Sequence, residues 1–167
     1  MTHAEPFRLY SAVVLPDWID ANGHMNVASF GILFDRAGHV LIEALGIGVD
    51  YVATQRRGLF ILESHCRYYR ELRLDDPVEV ASRLLAVDDK RVHLFHEMFH
   101  SGERYLAATL EVLAICVDLR DRRSAALEPE VRARLAQIAE RQAFQPLPHR
   151  CSLSLRRPDE NARSENA

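Results

Sequence analysis

Residues 96–100 read HEMFH, an arrangement in which His96 and His100 could grip one zinc ion while Glu97 activates its bound water. That chemistry needs a helix, where residues four apart lie close together on one face. A second stretch, WIDANGHMN at residues 18–26, sets a carboxylate (Asp20), two amides (Asn22 and Asn26) and an imidazole (His24) around an Asn-Gly turn. A carboxylate placed there can take a proton from water or attack an electrophile itself. Which stretch forms a site depends on the elements that carry them.

Taken alone, residues 88–102 make a fair helix. Val92, Leu94, Phe95, Met98 and Phe99 gather on one side, His93, His96, Glu97 and His100 on the other, with Asp88 or Asp89 as a cap and Gly102 as a stop. The surroundings argue for a strand. VEVASRLLAV precedes this run and RYLAATLEVLAICVDL follows it, each of strand texture and separated from it by short turn signals, which together with GLFILESHCRYYREL describes an antiparallel meander. On a strand, His96 and His100 are about 13 Å apart, too far to share an ion. Downstream, only Glu128 or Glu130 offers a third ligand, and weakly.

The other stretch is followed by residues 27–45, a proline-free segment that Gly46 can terminate and whose apolar residues spread around most of its circumference. A helix of that kind is normally wrapped by other elements. A short strand over residues 7–15 stops at Pro16, residues 49–56 allow one or two helical turns, and residues 128–142 form an amphipathic helix with Pro129 in its first turn. The expected division is one domain over residues 1–145 and a loose polar tail over 146–167.

The 167 residues, 48% hydrophobic and 27% charged with a net charge of -3, suit one soluble globular domain and offer no broad basic face for nucleic acid. There is neither an apolar run of membrane-spanning length nor a signal peptide, so no membrane partner and a cytoplasmic location are expected. Cys66, Cys116 and Cys151 are odd in number and lack a Cys-x-x-Cys pairing, as reduced thiols do. Cys66 and Cys116 lie in apolar runs and read as small buried hydrophobes.

One strand, a loop, a long wrapped helix and then antiparallel strands is the order of the hotdog fold, an α+β architecture in which a curved antiparallel sheet wraps one long central helix. The D-x-N-G-H-M-N pattern at Asp20, Asn22, Gly23, His24, Met25 and Asn26 resembles the acyl-CoA thioesterases of that fold, the 4-hydroxybenzoyl-CoA thioesterase-like superfamily. LESHCRYYRE at 62–71 and DKRVHLFHEMFH at 89–100 are similar to the branch that includes betainyl-CoA thioesterases of carnitine breakdown. The resemblance implies that HEMFH belongs to a sheet strand and that no metal or other cofactor takes part.

It further implies hydrolysis of a short or polar acyl-CoA. A helix starting near Asn26 aims free backbone amides at whatever precedes it and can polarise a thioester carbonyl. Asp20 is the first choice for general base or nucleophile. Asn22, Gly23 and His24 position the acyl group or the water, and Asn26 either shares that task or is only the N-cap. Glu63 and His65, two apart on a strand, share a face; the resemblance implies that they meet the helix start across the interface of a homodimer or homotetramer. Their structural alternatives are an ion pair of Glu63 with Arg67 and a satisfied interface position for His65. Trp18 is a candidate aromatic wall for a quaternary ammonium group, or ordinary packing. Val27 and Phe30 stand where many relatives have asparagine and tyrosine, which leaves the acyl preference open. Lys90 and Arg91 are candidates for the coenzyme A phosphates, or solvated turn charges. Two other readings remain open: a hydroxyacyl-CoA dehydratase working with His24 and Glu63, and a non-catalytic acyl-CoA-binding protein.

Overall fold

The computed structural model describes residues 5–143. Its elements in chain order are β1 (Phe7–Val13), a 3-10 turn (Pro16–Trp18), α1 (Val27–Ala44), α2 (Val49–Gln55), β2 (Arg57–Tyr68), β3 (Pro77–Val87), β4 (Arg91–His100), β5 (Leu106–Asp118), β6 (Arg123–Ser124) and α3 (Pro129–Ala143). The expected tail and Cys151 lie outside the described residues.

All strands pair antiparallel in the order β1-β3-β4-β5-β2, with the short β6 added beside β5. The expected meander holds for β3, β4 and β5 only. β2 crosses to the far side of β5, because the edge of β3 that it would have used is taken by β1. Tight turns alone cannot reveal such a crossing, since residues 69–76, which connect β2 to β3, contain the same turn-forming residue types.

The concave face of the sheet holds α1, which buries Phe30, Leu33, Phe34, Ala37 and Leu41. Each of the buried Phe and Leu side chains contributes roughly 1.5–3 kcal/mol of hydrophobic stabilisation. Around the first half of α1 lie Val14, Trp18, Met25, Leu72, Val80 and Met98; around its second half lie Leu84, Val92, Leu94 and the α3 residues Val131, Leu135 and Ile138. The side chain of Gln142 locks α3 down by accepting from the Leu84 amide at 2.8 Å and donating to the Glu5 carbonyl at 3.1 Å. The wrapping is one-sided: Ile32 is 41% exposed on the side of α1 away from its buried stripe, Val40 is 37% exposed at the flank of that stripe, and Val27 is 64% exposed at the N-terminal end. At one sheet edge, β2 leaves Phe60, Ile61 and Leu62 exposed as well.

HEMFH lies on β4, as the context argument expected. Its two outer histidines face separate partners: Ser82 Oγ is 2.7 Å from His96 Nδ1, whereas His100 Nδ1 accepts from the Glu103 amide and His100 Nε2 is 3.4 Å from Asp76. The pentapeptide therefore does not make the helical H-E-x-x-H grip.

Candidate active site

The stretch before α1 is a compact turn held from both ends. Ile19 and Met25 form a β-bridge, the Asp20 amide donates to the His24 carbonyl at 3.1 Å, and the Gly23 amide donates back to the Asp20 carbonyl at 3.0 Å. Gly23 adopts φ +81°, a conformation costly for any residue with a Cβ. That explains why the Asn-Gly pair sits here.

Within the turn, the Asp20 carboxylate accepts from the Asn22 backbone amide at 2.8 Å and from the Asn22 side chain at 3.3 Å. Asn22 thus orients Asp20, whose side chain remains 32% exposed and able to meet water. His24 Nδ1 lies 3.2 Å from the Met25 carbonyl and 4.0 Å from Asp20 Oδ1. A carbonyl can only accept, so Nδ1 carries the proton in that bond and Nε2 of the neutral ring keeps a lone pair.

Asn26 is the N-cap of α1: its Oδ1 accepts from the Ser29 amide at 3.0 Å, while its Nδ2 donates to the Trp18 carbonyl at 3.0 Å. Both ends of the amide are engaged in placing the helix start. Among the described residues, the amides of Val27 and Ala28 make no hydrogen bond, which leaves them directed ahead of the helix. Trp18 is only 8% exposed, packed into the core beneath the turn, with the Arg36 guanidinium 5.7 Å from its ring centroid.

In front of α1 lies a cleft of about 350 Å³, with His24, Val27 and Phe30 on one side and Tyr68, Tyr69, Arg70 and Glu71 on the other. The family resemblance includes this RYYRE run, but the sequence alone gives it no role at the site. The signal that could have found it is strand length: β2 runs twelve residues, so its last residue, Tyr68, ends at the start of α1. Phe30 and Tyr68 pack edge to face. Burial, and then a hydrogen bond with Cys66, push the Tyr68 hydroxyl up to about 12, so it stays neutral. Burial likewise raises the Cys66 thiol, which keeps it protonated and unsuited to nucleophilic attack. The Arg70 guanidinium stacks on the Tyr105 ring at 3.6 Å.

Of the expected site residues only His24 lines this cleft; Asp20, Asn22, Gly23 and Asn26 lie in the turn behind it, Trp18 lies in the core, and the others are not brought to it within one chain. Glu63 sits on β2 opposite Leu113, next to Ser64, and alternate strand residues face opposite sides of the sheet. Among the described residues it makes no ion pair, so the alternative pairing with Arg67 is absent. His65, half-buried, lies opposite Glu111. Lys90 lies in the β3–β4 turn and Arg91 begins β4, where Asp88 holds it at 2.6–2.8 Å. Tyr68 pairs with Ala108, and Ala108 with Met98. Arg91 is therefore about 23 Å along β4 from the cleft end of the sheet. Arg70 is the cation that lines the cleft.

No cluster of three or more His, Cys, Asp or Glu side chains placed to hold a metal ion occurs among the described residues. No helix among them is long and apolar enough to cross a membrane.

Comparison with known proteins gives the family and the fold. The chain is 34% identical over 139 residues to a betainyl-CoA thioesterase of Pseudomonas aeruginosa, covering 83% of this chain and 87% of that protein. It is 32% identical over 154 residues to the L-carnitine dehydrogenase/betainyl-CoA thioesterase of Ruegeria pomeroyi, covering 92% of this chain and 31% of that longer protein. A Staphylococcus aureus protein solved in complex with CoA superposes with a TM-score of 0.77 at 28% identity, covering 91% of this chain and 95% of that one. A candidate thioesterase of Pseudomonas putida gives 0.74 at 28% identity, covering 92% and 97%. With residues 14–135 matching the family described as the thioesterase-like superfamily, and with the curled sheet over a long helix that its solved relatives share, the chain belongs to that superfamily.

Proposed function

We propose that the protein is an acyl-CoA thioesterase that hydrolyses short or polar acyl groups at the leading end of α1, with betainyl-CoA as the first candidate substrate. The observation that carries this reading is the placement of His24, 4.0 Å from the Asp20 carboxylate and lining a cleft that opens onto the unpaired amides of α1.

The thioester carbonyl oxygen faces the Val27 and Ala28 amides, whose positive dipole end stabilises the charge that develops there. A water oxygen attacks the carbonyl carbon, and its proton passes to Asp20 or to Nε2 of His24. As the carbonyl re-forms, the carbon–sulfur bond breaks and its electron pair leaves with the coenzyme A thiolate. The alternative route has Asp20 attack first, expelling the thiolate and forming an anhydride that water then opens. Gly23 and Asn22 hold the carboxylate in place, and Asn26 fixes the helix start.

For a betainyl group, the cleft supplies Phe30, Tyr68 and Tyr69 as aromatic faces and Glu71 as a carboxylate, the combination that suits a quaternary ammonium ion. Trp18 backs the turn from the core. Arg70 is the nearest candidate for a coenzyme A phosphate.

The protein works as a homodimer or larger homo-oligomer in the cytoplasm. Support for assembly comes from the unpaired edge of β2 with Phe60, Ile61 and Leu62 exposed, and from Ile32 on the uncovered side of α1. Pairing along that edge carries Glu63 and His65 toward a partner's cleft, where Glu63 orients water and His65 binds substrate.

Thiol release from a panel of acyl-CoAs, betainyl-CoA included, tests the reading. Enoyl absorbance without thiol would favour the dehydratase, and stabilisation by acyl-CoAs that survive incubation would favour the non-catalytic binder.

A further inference from the structure

A second space, of about 410 Å³, lies between α1 and strands β2, β4 and β5 and opens to solvent past Asp35, His39 and Ile61. Gly31, Phe34 and Gly38 of α1, Leu110 and Val112 of β5, and His96 of β4 shape it. A Cβ added at Gly31 or Gly38 would meet no atom within 4 Å, so these two glycines leave room that neighbouring side chains do not fill. Alanine would be the better helix former at both positions. The helix gives up stability where the chamber is open.

His96 is the one polar side chain buried in this wall, at 2% exposure. The other ionisable groups lining the chamber, Asp35 and His39, have side chains about two-thirds exposed. Ser82 holds Nδ1 of His96 at 2.7 Å, and among the described residues Nε2 has no hydrogen-bond partner. Nε2 is thus the polar atom that His96 offers to the chamber. Burial lowers its pKa from 6.5 to about 4, so the ring is neutral at physiological pH. Nε2 is open to the chamber, so a ligand oxygen can take the place of water on it.

No residue lines both the chamber and the cleft, but their linings are neighbours along α1 and β2. Phe30 and Tyr68 line the cleft, whereas Gly31, the next residue of α1, and Ser64, four residues back along β2, line the chamber. The Phe34 ring is 6.2 Å from the His96 ring. Phe34 is seven residues beyond Val27, hence about 10 Å along the helix from the amides that would face a thioester. An extended chain of about eight bonds covers that distance, at the ~1.2 Å per bond of an extended backbone. A betainyl group is far shorter and would fill the cleft alone.

We propose that the chamber is an acyl channel continuous with the cleft, in which His96, held by Ser82, selects medium-length acyl groups bearing a hydroxyl or carbonyl oxygen near their far end. The proposal rests on the thioesterase reading above for the identity of the thioester, and extends the substrate class beyond short acyl groups. Neighbouring apolar walls accept the methylenes, and the imidazole reads the one oxygen.

Binding and turnover separate the two claims. Calorimetry with non-hydrolysable coenzyme A thioethers carrying octyl and 8-hydroxyoctyl chains reads the channel. The wild type should bind the hydroxylated ligand about tenfold more tightly; His96→Phe should erase that preference and His96→Gln should restore part of it. Gly38→Leu, which improves helix propensity while filling the chamber, should weaken both ligands at least tenfold and leave free coenzyme A within about twofold. Equal affinities in the wild type, a preference that survives His96→Phe, or a Gly38→Leu variant that binds both ligands normally overturns the proposal. So does a Gly38→Leu variant that changes subunit number and weakens free coenzyme A equally, since the chamber would then belong to a contact between copies. Thiol release from octanoyl-CoA runs alongside: binding preference with no hydrolysis of any acyl-CoA removes the thioesterase reading only, and hydrolysis without preference removes the channel only.

Discussion

Phe30 and Tyr68 meet edge to face, their ring centroids 5.1 Å apart and their planes at 77°, so the first turn of α1 and the last residue of β2 form one aromatic wall. Such a contact exposes ring faces and edges to the cleft while holding both rings still. A cation resting there is attracted by about 1 kcal/mol or more per ring. Tyr68→Leu should therefore raise KM for betainyl-CoA about fivefold to tenfold and change KM for acetyl-CoA much less. Equal changes for both substrates would show that the wall is packing and not cation recognition.

Asp20 accepts two hydrogen bonds from Asn22 and yet keeps a third of its side chain open to solvent, a state in which it can hold a water and still be oriented. Asp20→Asn preserves shape and removes the basic oxygen. We expect kcat to fall by about 10²–10⁴ while acyl-CoA binding stays within a few-fold. Thiol-release kinetics together with calorimetry check both halves, and undiminished hydrolysis would remove Asp20 from its role.

The turn before α1 was legible because its chemistry is local. Asp20, Asn22, Gly23 and Asn26 satisfy one another within a few residues, and an Asn-Gly pair followed by a long apolar segment has few other solutions. The strand nature of HEMFH was legible from neighbouring turn signals. Long-range register was not: nothing in the local pattern of β2 tells it to skip β3 and pair with β5, and that choice brings Tyr68 to Glu71 beside His24. The same choice puts Lys90 and Arg91 at the far end of the sheet. Trp18, two residues from Asp20, could be read from the sequence as an aromatic wall or as ordinary packing, and in the 3-10 turn it is packed in the core.

Asn26 closes α1 with its side-chain oxygen on the Ser29 amide and its side-chain nitrogen on the Trp18 carbonyl. Asn26→Ala loses both. Urea unfolding should show a stability loss of about 1–2 kcal/mol, and kcat should fall as well, because the Val27 amide is no longer fixed. Asn26→Asp keeps the cap acceptor and should recover most of the stability. A variant with full stability and full activity would deny Asn26 even its structural task.

The β2 edge carries an apolar run in which Ile61 and Leu62 are 64% and 52% exposed, and a bulge interrupts its pairing with β5 between Ile61 and Glu63. An unpaired apolar edge is a template for a second strand. Leu62→Lys should shift the assembly toward monomer in analytical ultracentrifugation and lower kcat/KM in parallel if Glu63 acts in a partner's cleft. Activity that persists in a monomer would confine the catalytic groups to one chain.

His96 provides a pH test of the interior. Its folded-state pKa of about 4 lies below the unfolded value of 6.5, so between these values the unfolded chain holds a proton that the folded chain refuses. Stability is therefore fully present above about pH 6.5 and is lost as pH falls toward 4. With the group wholly buried, the loss across that window is up to about 3 kcal/mol, since each tenfold difference in proton affinity between the two states is worth about 1.4 kcal/mol. Asp35 and His39, which also line the chamber, are common to wild type and variant, so a difference measurement cancels them. Urea denaturation of the wild type and of His96→Gln at pH 7 and pH 4.5 should show the wild type losing more stability on acidification. A Gln variant with the same acid sensitivity would mean that the imidazole takes up its proton in place, with water reaching Nε2 through the chamber.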